Sequence, residues 1–186
     1  MLTLLLQLMR KTILYIAASL DGYIARTDGS TEWLHDKDYT LEGEDFGYSS
    51  FLQGIDTTLM GHSTYKAVLG FDMPFPYPDK KNYVFSRSSG HRGTEHVQFV
   101  QEKAADFVKG LKQQEGKDIW LIGGGQLNTL FLNEGLLDDI ILTYIPIVLG
   151  SGIPLFAGGA RERKLRVKES RSYTNGFVQM HYQVSN

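Results

Sequence analysis

The sequence predicts an α/β fold with a mostly parallel central sheet that ends in an antiparallel hairpin. Short runs rich in β-branched and aromatic residues alternate with segments of helical periodicity, which is typical of parallel strands joined by crossover helices. Near the C-terminus, Thr174, Asn175 and Gly176 separate two alternating runs, and Asn-Gly between such runs is a strong hairpin signal. A chain of 186 residues has the length of about one domain, so we expect a single domain over residues 1–186.

Strands are predicted where apolar runs are bounded by turn residues. In chain order they are Thr12–Ala18, Thr57–Met60, Asn82–Ser86, His96–Val100, Asp118–Ile122, Asp139–Ile145, Leu165–Tyr173 and Phe177–Val184. Helices are predicted from the spacing of apolar residues between these strands, over Glu44–Gln53, Ser63–Leu69, Glu102–Gln114 and Gln126–Asn133. Gly135 is placed to end the last helix, because glycine is favoured just beyond a helix C-terminus.

The first eight residues, MLTLLLQL, form a short apolar run that we interpret as an optional extension of the domain. Its charged neighbours Arg10 and Lys11 follow it, whereas a signal peptide has positive charges before the apolar run. It is also far shorter than the roughly 20 apolar residues that cross a membrane. We therefore expect no membrane association.

Composition excludes several classes of function. With 19 Lys and Arg against 21 Asp and Glu, the formal net charge of −2 gives no basic field that would hold a nucleic acid. The absence of cysteine excludes thiolate nucleophiles, cysteine-bound zinc and iron–sulfur clusters, and it fits a cytoplasmic protein. We expect neither a nucleic-acid partner nor a metal site.

The segment IWLIGGGQ, residues 119–126, is an apolar strand that runs into three glycines and then a helix. Glycines at such a junction let a phosphate approach the backbone N–H groups at the positive end of the helix dipole. A glycine-lined turn without a ligand is the alternative, and we favour phosphate binding. The ordinary dinucleotide fingerprint is disfavoured, because Asn128 stands where the third glycine of G-x-G-x-x-G belongs.

Two further junctions have polar residues directly after a strand. Gly61 is followed by His62, Ser63 and Thr64, where a hydroxyl could cap a helix and a protonated histidine could meet a phosphate. The alternative, that His62 is a solvated loop histidine without a ligand, is supported at least as well by the sequence. At the other junction Ser86 precedes Arg87, whose guanidinium suits a phosphate, although a single arginine after a strand is usually only a surface residue.

These motifs together resemble a known family. SLDGYIA, LMGHSTY, VFSR, LIGGGQL and LTYIPIVLGSGIPLF occur in the order and spacing of the reductase domain of the bifunctional riboflavin-biosynthesis deaminase-reductase. A more distant resemblance is to dihydrofolate reductase. The resemblance covers nearly all of Thr12 to Val184, and the zinc-deaminase signature is absent from this sequence, so we expect a reductase module that stands alone.

The resemblance implies a dihydrofolate reductase-like three-layer fold with NADPH along the carboxyl edge of the sheet. It implies that the pyrophosphate loop is built from Ile122, Gly123, Gly124, Gly125, Gln126 and Leu127, and the second phosphate-binding helix start from Gly61, His62, Ser63 and Thr64. The family usually has arginine where His62 stands. Ser86 and Arg87 would contact the adenosine 2′-phosphate, while Ala17, Ala18 and Ile24 would surround the nicotinamide.

Two acids are the candidate catalytic residues on the substrate side. Asp21 lies in the SLDG motif, and Asp45 is the residue reached by counting back to the pterin-binding carboxylate of dihydrofolate reductase. Ordinary turn chemistry for Asp21 and a helix-start acid for Asp45 are the structural alternatives.

The function implied is NADPH-dependent hydride transfer to a small pyrimidine-like or pterin-like heterocycle, as in 5-amino-6-(5-phosphoribosylamino)uracil reductase. The alternatives are a non-catalytic protein of the same fold that binds a nucleotide or other small ligand, and a true dihydrofolate reductase. The apolar run Ile140–Leu149 and the aromatic C-terminal hairpin favour a homodimer.

Overall fold

A computed structural model describes residues 9–71 and 73–185 of the chain, and the optional extension predicted at residues 1–8 lies outside them. The ten strands of the described residues are β1 Thr12–Ser19, β2 Tyr23–Ala25, β3 Ile55–Gly61, β4 Lys81–Phe85, β5 Val97–Val100, β6 Asp118–Gly123, β7 Asp139–Ile145, β8 Ile153–Pro154, β9 Leu165–Ser172 and β10 Val178–Val184. The helices are α1 Tyr48–Gln53, α2 His62–Leu69, α3 Ala104–Lys112 and α4 Gly125–Asn133.

The main sheet has eight strands in the order β5-β4-β3-β6-β1-β7-β10-β9. The strands from β5 to β7 are all parallel, and only β10 and β9 run antiparallel to their neighbours. At the hairpin turn, the N–H of Tyr173 donates a hydrogen bond of 2.9 Å to the carbonyl oxygen of Phe177, and Gly176 adopts a φ of 85°. The predicted α/β fold with a mostly parallel sheet and an antiparallel C-terminal hairpin is confirmed.

Helices cover both faces of this sheet, which gives three layers. On one face, Val108 of α3 and Phe131 of α4 pack with Leu14 of β1 in the largest core cluster, and all three are 0% exposed. On the other face, Phe51 of α1 packs against Trp120 of β6, with ring centroids 5.5 Å apart. Burial of these apolar side chains is the main stabilising term of the fold.

Two features differ from the sequence-based expectation. The helix predicted from Glu44 begins only at Tyr48, because Phe46 and Gly47 adopt left-handed φ angles of 56° and 80°, which a helix cannot continue through. A second, two-stranded sheet pairs β2 with β8. These strands have only three and two residues, too few for a visible alternating pattern.

None of the helices in the described residues is long and apolar enough to cross a membrane. The same residues contain no group of three or more His, Asp and Glu side chains arranged to hold a metal ion.

Candidate active site

The carboxyl ends of four neighbouring strands meet at one edge of the sheet. In spatial order, β4 ends before Ser86, β3 ends at Gly61, β6 ends at Gly123 and β1 ends at Ser19. Strands in a sheet lie about 4.8 Å apart, so these ends span roughly 14 Å. Ligands of open α/β sheets bind at this edge, and it carries the polar residues that the sequence singles out.

Two helix N-termini lie side by side at the centre of this edge. The strand β3 runs directly into α2, and β6 runs through Gly124 into α4. The Thr64 hydroxyl in the first turn of α2 donates a hydrogen bond of 3.2 Å to the carbonyl oxygen of Gly123, which joins the two turns. Free N–H groups and two positive helix ends therefore point to the same edge, and this arrangement fits a pyrophosphate.

The first two glycines of the turn use backbone conformations that other residues avoid. Gly123 and Gly124 have φ angles of 118° and 81°. A Cβ atom on Gly124 would lie 3.3 Å from the Thr64 hydroxyl oxygen, so a side chain there would occupy the space between the two helix starts.

Gly125 has a different requirement from its two neighbours, because it begins α4 and its φ angle is not positive. A Cβ atom at Gly125 would lie 2.3 Å from the carbonyl oxygen of Pro154. The carbonyl oxygen of Gly125 also accepts a hydrogen bond of 3.1 Å from the N–H of Ala157. Gly125 is therefore a glycine because the segment after β8 packs directly on the start of α4.

Asn128, which breaks the dinucleotide fingerprint, fastens this same segment. Its side-chain Nδ2 donates a hydrogen bond of 2.8 Å to the carbonyl oxygen of Leu155, and the Thr129 hydroxyl donates one of 3.0 Å to Ala157. The N–H of Leu155 in turn donates to the carbonyl oxygen of Gly22, in the turn between β1 and β2. The segment 154–157 thus bridges α4 and the end of β1.

His62 belongs to a small aromatic cluster that the sequence did not reveal. Its ring centroid lies 4.2 Å from that of His91 and 5.8 Å from that of Phe99, and His91 stacks on Phe99 at 4.8 Å. Removal from water, helped by the nearby charges of His91 and Lys66, holds the pKa of His62 below its ordinary value of 6.5. His62 is therefore largely neutral near neutral pH while it stands at the start of α2.

The end of β4 is the most open part of the edge. Arg87 is exposed, and the half-buried Ser86 accepts a hydrogen bond of 3.2 Å from the N–H of Ser88 through its hydroxyl oxygen. Among the described residues Arg87 takes part in no ion pair. Its charge is thus free to bind an anion at this end.

The middle of β1 is unusually open for a central strand. Although β1 is paired on both sides, Tyr15, Ile16 and Ala17 are each only half-buried. Both covering layers therefore leave a gap at this point. Ala18 is 0% exposed, and its contact with the nicotinamide stays a prediction.

The remaining predicted cofactor residues lie around the glycine turn and the end of β1. Ser63 and Gln126 are exposed, whereas Ile24, Ile122 and Leu127 are half-buried. Leu127 approaches Gly61, where a Cβ atom would lie 3.7 Å from its Cδ1. The cofactor contacts of these residues stay predictions.

Asp21 anchors two loops. Its carboxylate accepts hydrogen bonds of 2.6 Å from the Ser19 hydroxyl, 3.1 Å from the N–H of Leu149 and 2.7 Å from the N–H of Gly150. The Ser19 hydrogen bond, followed by the two backbone ones, holds the pKa of Asp21 below its ordinary value of 3.8. Asp21 is therefore ionised near neutral pH, and its catalytic role stays a prediction.

Asp45 serves a separate loop. Its carboxylate accepts hydrogen bonds of 2.9 Å from the N–H of Gly47 and 3.0 Å from the N–H of Ser49, at the start of α1. The hydrogen bonds from Ser49, the largest cause, lower the pKa of this exposed carboxyl. This is the geometry of a helix-start acid, and a catalytic role for Asp45 stays a prediction as well.

A polar group that sequence reasoning missed lies beside Ala17 on the face covered by α1. Gln179 Nε2 lies 3.1 Å from the Thr143 hydroxyl oxygen, 3.1 Å from the carbonyl oxygen of Phe46 and 3.4 Å from the Tyr15 hydroxyl oxygen. Its members come from three strands and a loop, so no local motif in the sequence marks them.

A sequence profile of the RibD C-terminal domain family matches residues 10–179, which is most of the chain. The chain belongs to this family. The match agrees with the resemblance inferred from the sequence motifs, and that inference is confirmed.

The chain is 48% identical over 174 residues to the uncharacterized protein YwjB of Bacillus subtilis (strain 168). That alignment covers 93% of this chain and 97% of YwjB. The chain is also similar to a crystal structure from Shewanella sp. PV-4 named as a riboflavin biosynthesis protein, with 30% identity and a TM-score of 0.84. This match covers 95% of the present chain and 99% of the Shewanella chain.

A more distant structural match shows the fold alone. It is the Thermotoga maritima diaminohydroxyphosphoribosylaminopyrimidine deaminase/5-amino-6-(5-phosphoribosylamino)uracil reductase, with 16% identity and a TM-score of 0.71. The match covers 99% of the present chain but 59% of the Thermotoga chain. The RibD C-terminal domain fold therefore occurs there as part of a longer protein.

The anchoring geometry of Asp21 leads to a testable prediction. Replacing Asp21 by Asn removes a charged acceptor, so the amide hydrogens of Leu149 and Gly150 should exchange with solvent faster. Hydrogen exchange followed by NMR measures this change. Asp28→Asn is the matched control, because Asp28 is also exposed and accepts only a local hydrogen bond from the N–H of Ser30.

The pH dependence of this anchor has a definite sign. Because the folded pKa of Asp21 lies below its ordinary value, the contribution is complete above pH 3.8 and is lost as the pH falls through the folded pKa. Unchanged exchange of Leu149 and Gly150 in Asp21→Asn would show that the carboxylate does not hold this loop.

Proposed function

We propose that this protein is an NADPH-dependent reductase that transfers a hydride to a small pyrimidine-like or pterin-like heterocycle. Its reaction would be of the 5-amino-6-(5-phosphoribosylamino)uracil reductase type, an activity that the name of the Thermotoga protein includes. The order of groups along the carboxyl edge carries the proposal. Along this edge, an arginine without an ion pair comes first, two adjoining helix N-termini come next, and an open central strand comes last. An extended NADPH needs the same order for its 2′-phosphate, its pyrophosphate and its nicotinamide.

In this proposal, different residues of the edge bind different parts of the cofactor. Arg87 and Ser86 would hold the 2′-phosphate, with His62 beside them at the start of α2. The turn Gly123–Gly125, with Ser63 and Thr64, would hold the pyrophosphate. Ala17 and Ile24 would lie against the nicotinamide at the opening in β1.

The cofactor, when bound, supplies the hydride, so the protein has to position the rings and exclude water. The half-buried middle of β1 provides the surface where two rings could meet. Asp21 and Asp45 are both hydrogen-bonded and ionised near neutral pH, so neither carries a proton ready to be donated. We infer that the proton needed by the product comes through water.

The hydrogen bonds of Asp45 at the start of α1 also bear on the alternative of a true dihydrofolate reductase. A true dihydrofolate reductase needs a carboxylate that is free to hold the pterin, whereas both oxygens of Asp45 accept backbone hydrogen bonds. This observation favours the riboflavin-type reductase. A non-catalytic ligand-binding protein is distinguished by turnover, because it would bind the cofactor without oxidising it.

The absence of cysteine from the chain supports a place in the reducing cytoplasm as part of the proposal.

The proposal is tested by calorimetric titration of the protein with NADPH and with NADH. We expect both to bind and NADPH to bind more tightly, because the 2′-phosphate adds a charge-assisted contact with Arg87. Arg87→Ala should weaken NADPH by about tenfold and NADH little. Arg92→Ala, another exposed arginine of the same loop, is the control. Absence of binding to either dinucleotide would refute the reductase.

The histidine at the start of α2 makes NADPH binding dependent on pH. The pKa of His62 is low in the free protein, and a bound phosphate would favour its protonated form. Binding should therefore take up a proton near neutral pH, and the affinity should increase as the pH falls towards and below 6.5. Calorimetry in two buffers of different ionisation enthalpy measures the uptake.

His62→Gln should remove this uptake, while His35→Gln, which changes an exposed histidine in a short 3-10 turn, should keep it. NADH should show no uptake with any of these proteins. Equal proton uptake by wild type and His62→Gln would disprove the contact.

A homodimer is a further part of the proposal. Of the two segments that favour it, the C-terminal hairpin gives the stronger support. Within the apolar run Ile140–Leu149, the residues up to Ile145 belong to β7 and are already paired with β1 and β10. The strand β9 is exposed along its whole length. Val167 of β9 is 54% exposed and lies opposite Tyr182 of β10, so the two share an open apolar face.

Sedimentation velocity tests this part of the proposal. Wild type should sediment as a dimer, and Val167→Lys should weaken the dimer by tenfold or more because it buries a charge in an apolar contact. Leu69→Lys, at a similarly exposed leucine of α2, should leave the dimer intact. A wild type that sediments only as a monomer would contradict the homodimer.

A further inference from the structure

The group around Gln179 lies in one row that crosses three strands. Ala17 of β1 pairs in register with Thr143 of β7, and Thr143 pairs with Gln179 of β10. Directly opposed residues share a face of a sheet, so the three side chains lie on the face that α1 covers. The row therefore begins at Ala17, which we call the nicotinamide wall because the nicotinamide is proposed to lie against it. The row ends at the amide side chain of Gln179.

The hydrogen bonds of the Gln179 amide leave its oxygen, Oε1, without a partner among the described residues. All the side-chain hydrogen bonds of Gln179 to described residues use Nε2, and none uses Oε1. Gln179 is half-buried, so a ligand that reaches the row can meet this oxygen. Gln179 Oε1 can accept the N–H of a lactam edge, where an N–H stands beside a carbonyl. The Thr143 hydroxyl accepts from Nε2 and donates to none of the described residues, so it can donate to the adjacent ring carbonyl.

The carbonyl that faces this amide is held in a strained position. Phe46 is the one non-glycine residue with a positive φ among the described residues, at 56°. Its carbonyl oxygen accepts hydrogen bonds from the Tyr15 hydroxyl at 3.0 Å and from Gln179 at 3.1 Å. Strain of this kind in a residue with a bulky side chain is typical of functional sites.

The hydroxyl of Tyr15 holds the Phe46 carbonyl in place as a neutral donor. Burial raises the pKa of Tyr15 to about 12, so the O–H keeps its proton at physiological pH. Its ring stacks on Phe51 with centroids 4.5 Å apart, which fixes its position. The group thus offers hydrogen bonds without a formal charge.

An unpartnered donor lies in the adjoining cluster. Trp33 is 4% exposed and packs in the same cluster as Ala17 and Phe46, yet its indole N–H has no hydrogen-bond partner among the described residues. A buried donor without a partner costs free energy unless a ligand or water supplies an acceptor. A polar ligand or a water in this cluster would satisfy that donor.

We propose that Gln179, with Thr143, Tyr15 and the carbonyl of Phe46, recognises the lactam edge of an uncharged heterocyclic substrate next to the nicotinamide wall. This rests on the proposed function and narrows its substrate class to neutral rings that carry an N–H beside a carbonyl. Gln179 is a specificity-determining residue in this view, and the ring is held without a carboxylate.

The test compares two probes that differ only at the lactam nitrogens. Lumazine has N–H groups beside its carbonyls, whereas 1,3-dimethyllumazine has these positions methylated. Each is titrated by calorimetry into the protein with and without saturating NADP+, near neutral pH, where lumazine is mainly uncharged. Wild type should bind lumazine at least tenfold more tightly than its dimethyl derivative.

Gln179→Met keeps the size of the side chain and removes its amide, so it should abolish this tenfold preference. Gln183→Met, on the same strand, is the matched control and should keep it, because the Gln183 side chain bonds to the exposed Arg166 instead. Calorimetry with NADP+ should give the same affinity for wild type and both variants, which shows that the fold is intact.

The outcomes separate the inference from the proposed function. If NADP+ binds but wild type does not distinguish the two lumazines, or Gln179→Met distinguishes them as well as wild type does, the inference is wrong. If NADP+ fails to bind while the preference and its dependence on Gln179 persist, the reductase proposal fails and the lactam site stands.

Discussion

The close approach between the start of α4 and the segment after β8 is the constraint on which the carboxyl edge depends. It exists because Gly125 has no side chain at a point where a Cβ atom would lie 2.3 Å from the Pro154 carbonyl oxygen. Asn128 and Thr129 fasten the same segment by two side-chain hydrogen bonds. The N–H of Leu155 also donates a hydrogen bond to the carbonyl oxygen of Gly22. These contacts fix the position of the glycine turn relative to the end of β1.

The edge built on this contact uses mainly backbone groups for its electrostatics. Helix ends and free N–H groups provide a positive potential that stays constant across pH, with each helix end contributing about 0.3–1 kcal/mol at an exposed site. Positive side-chain charge is added at the β4 end, by Arg87 and the titrating His62. This division suits a protein whose net charge is −2, because the anion-binding potential is local and not a property of the whole surface.

Local sequence could predict those features of the fold and the site that depend on neighbouring residues in the chain. Gly123 and Gly124 adopt positive φ angles that glycine favours, and Asn175 with Gly176 is a common hairpin turn between strands. The glycine turn and the hairpin could therefore both be predicted from the sequence. The partnership of Gln179 with Tyr15 depends on the register of strands 164 residues apart, which no local pattern contains. Phe46 was equally hidden, since phenylalanine disfavours the left-handed region and only its surroundings impose it.

The small sheet of β2 and β8 has a consequence for how ligands come and go. A ribbon of two such short strands is only marginally stable by itself, so its persistence depends on contacts with the rest of the molecule. Opening this ribbon would break the Leu155–Gly22 hydrogen bond and the packing of Pro154 on Gly125, while the eight-stranded sheet could keep its structure. A ligand bound at the end of β1 would then leave by this local opening, without unfolding of the main sheet.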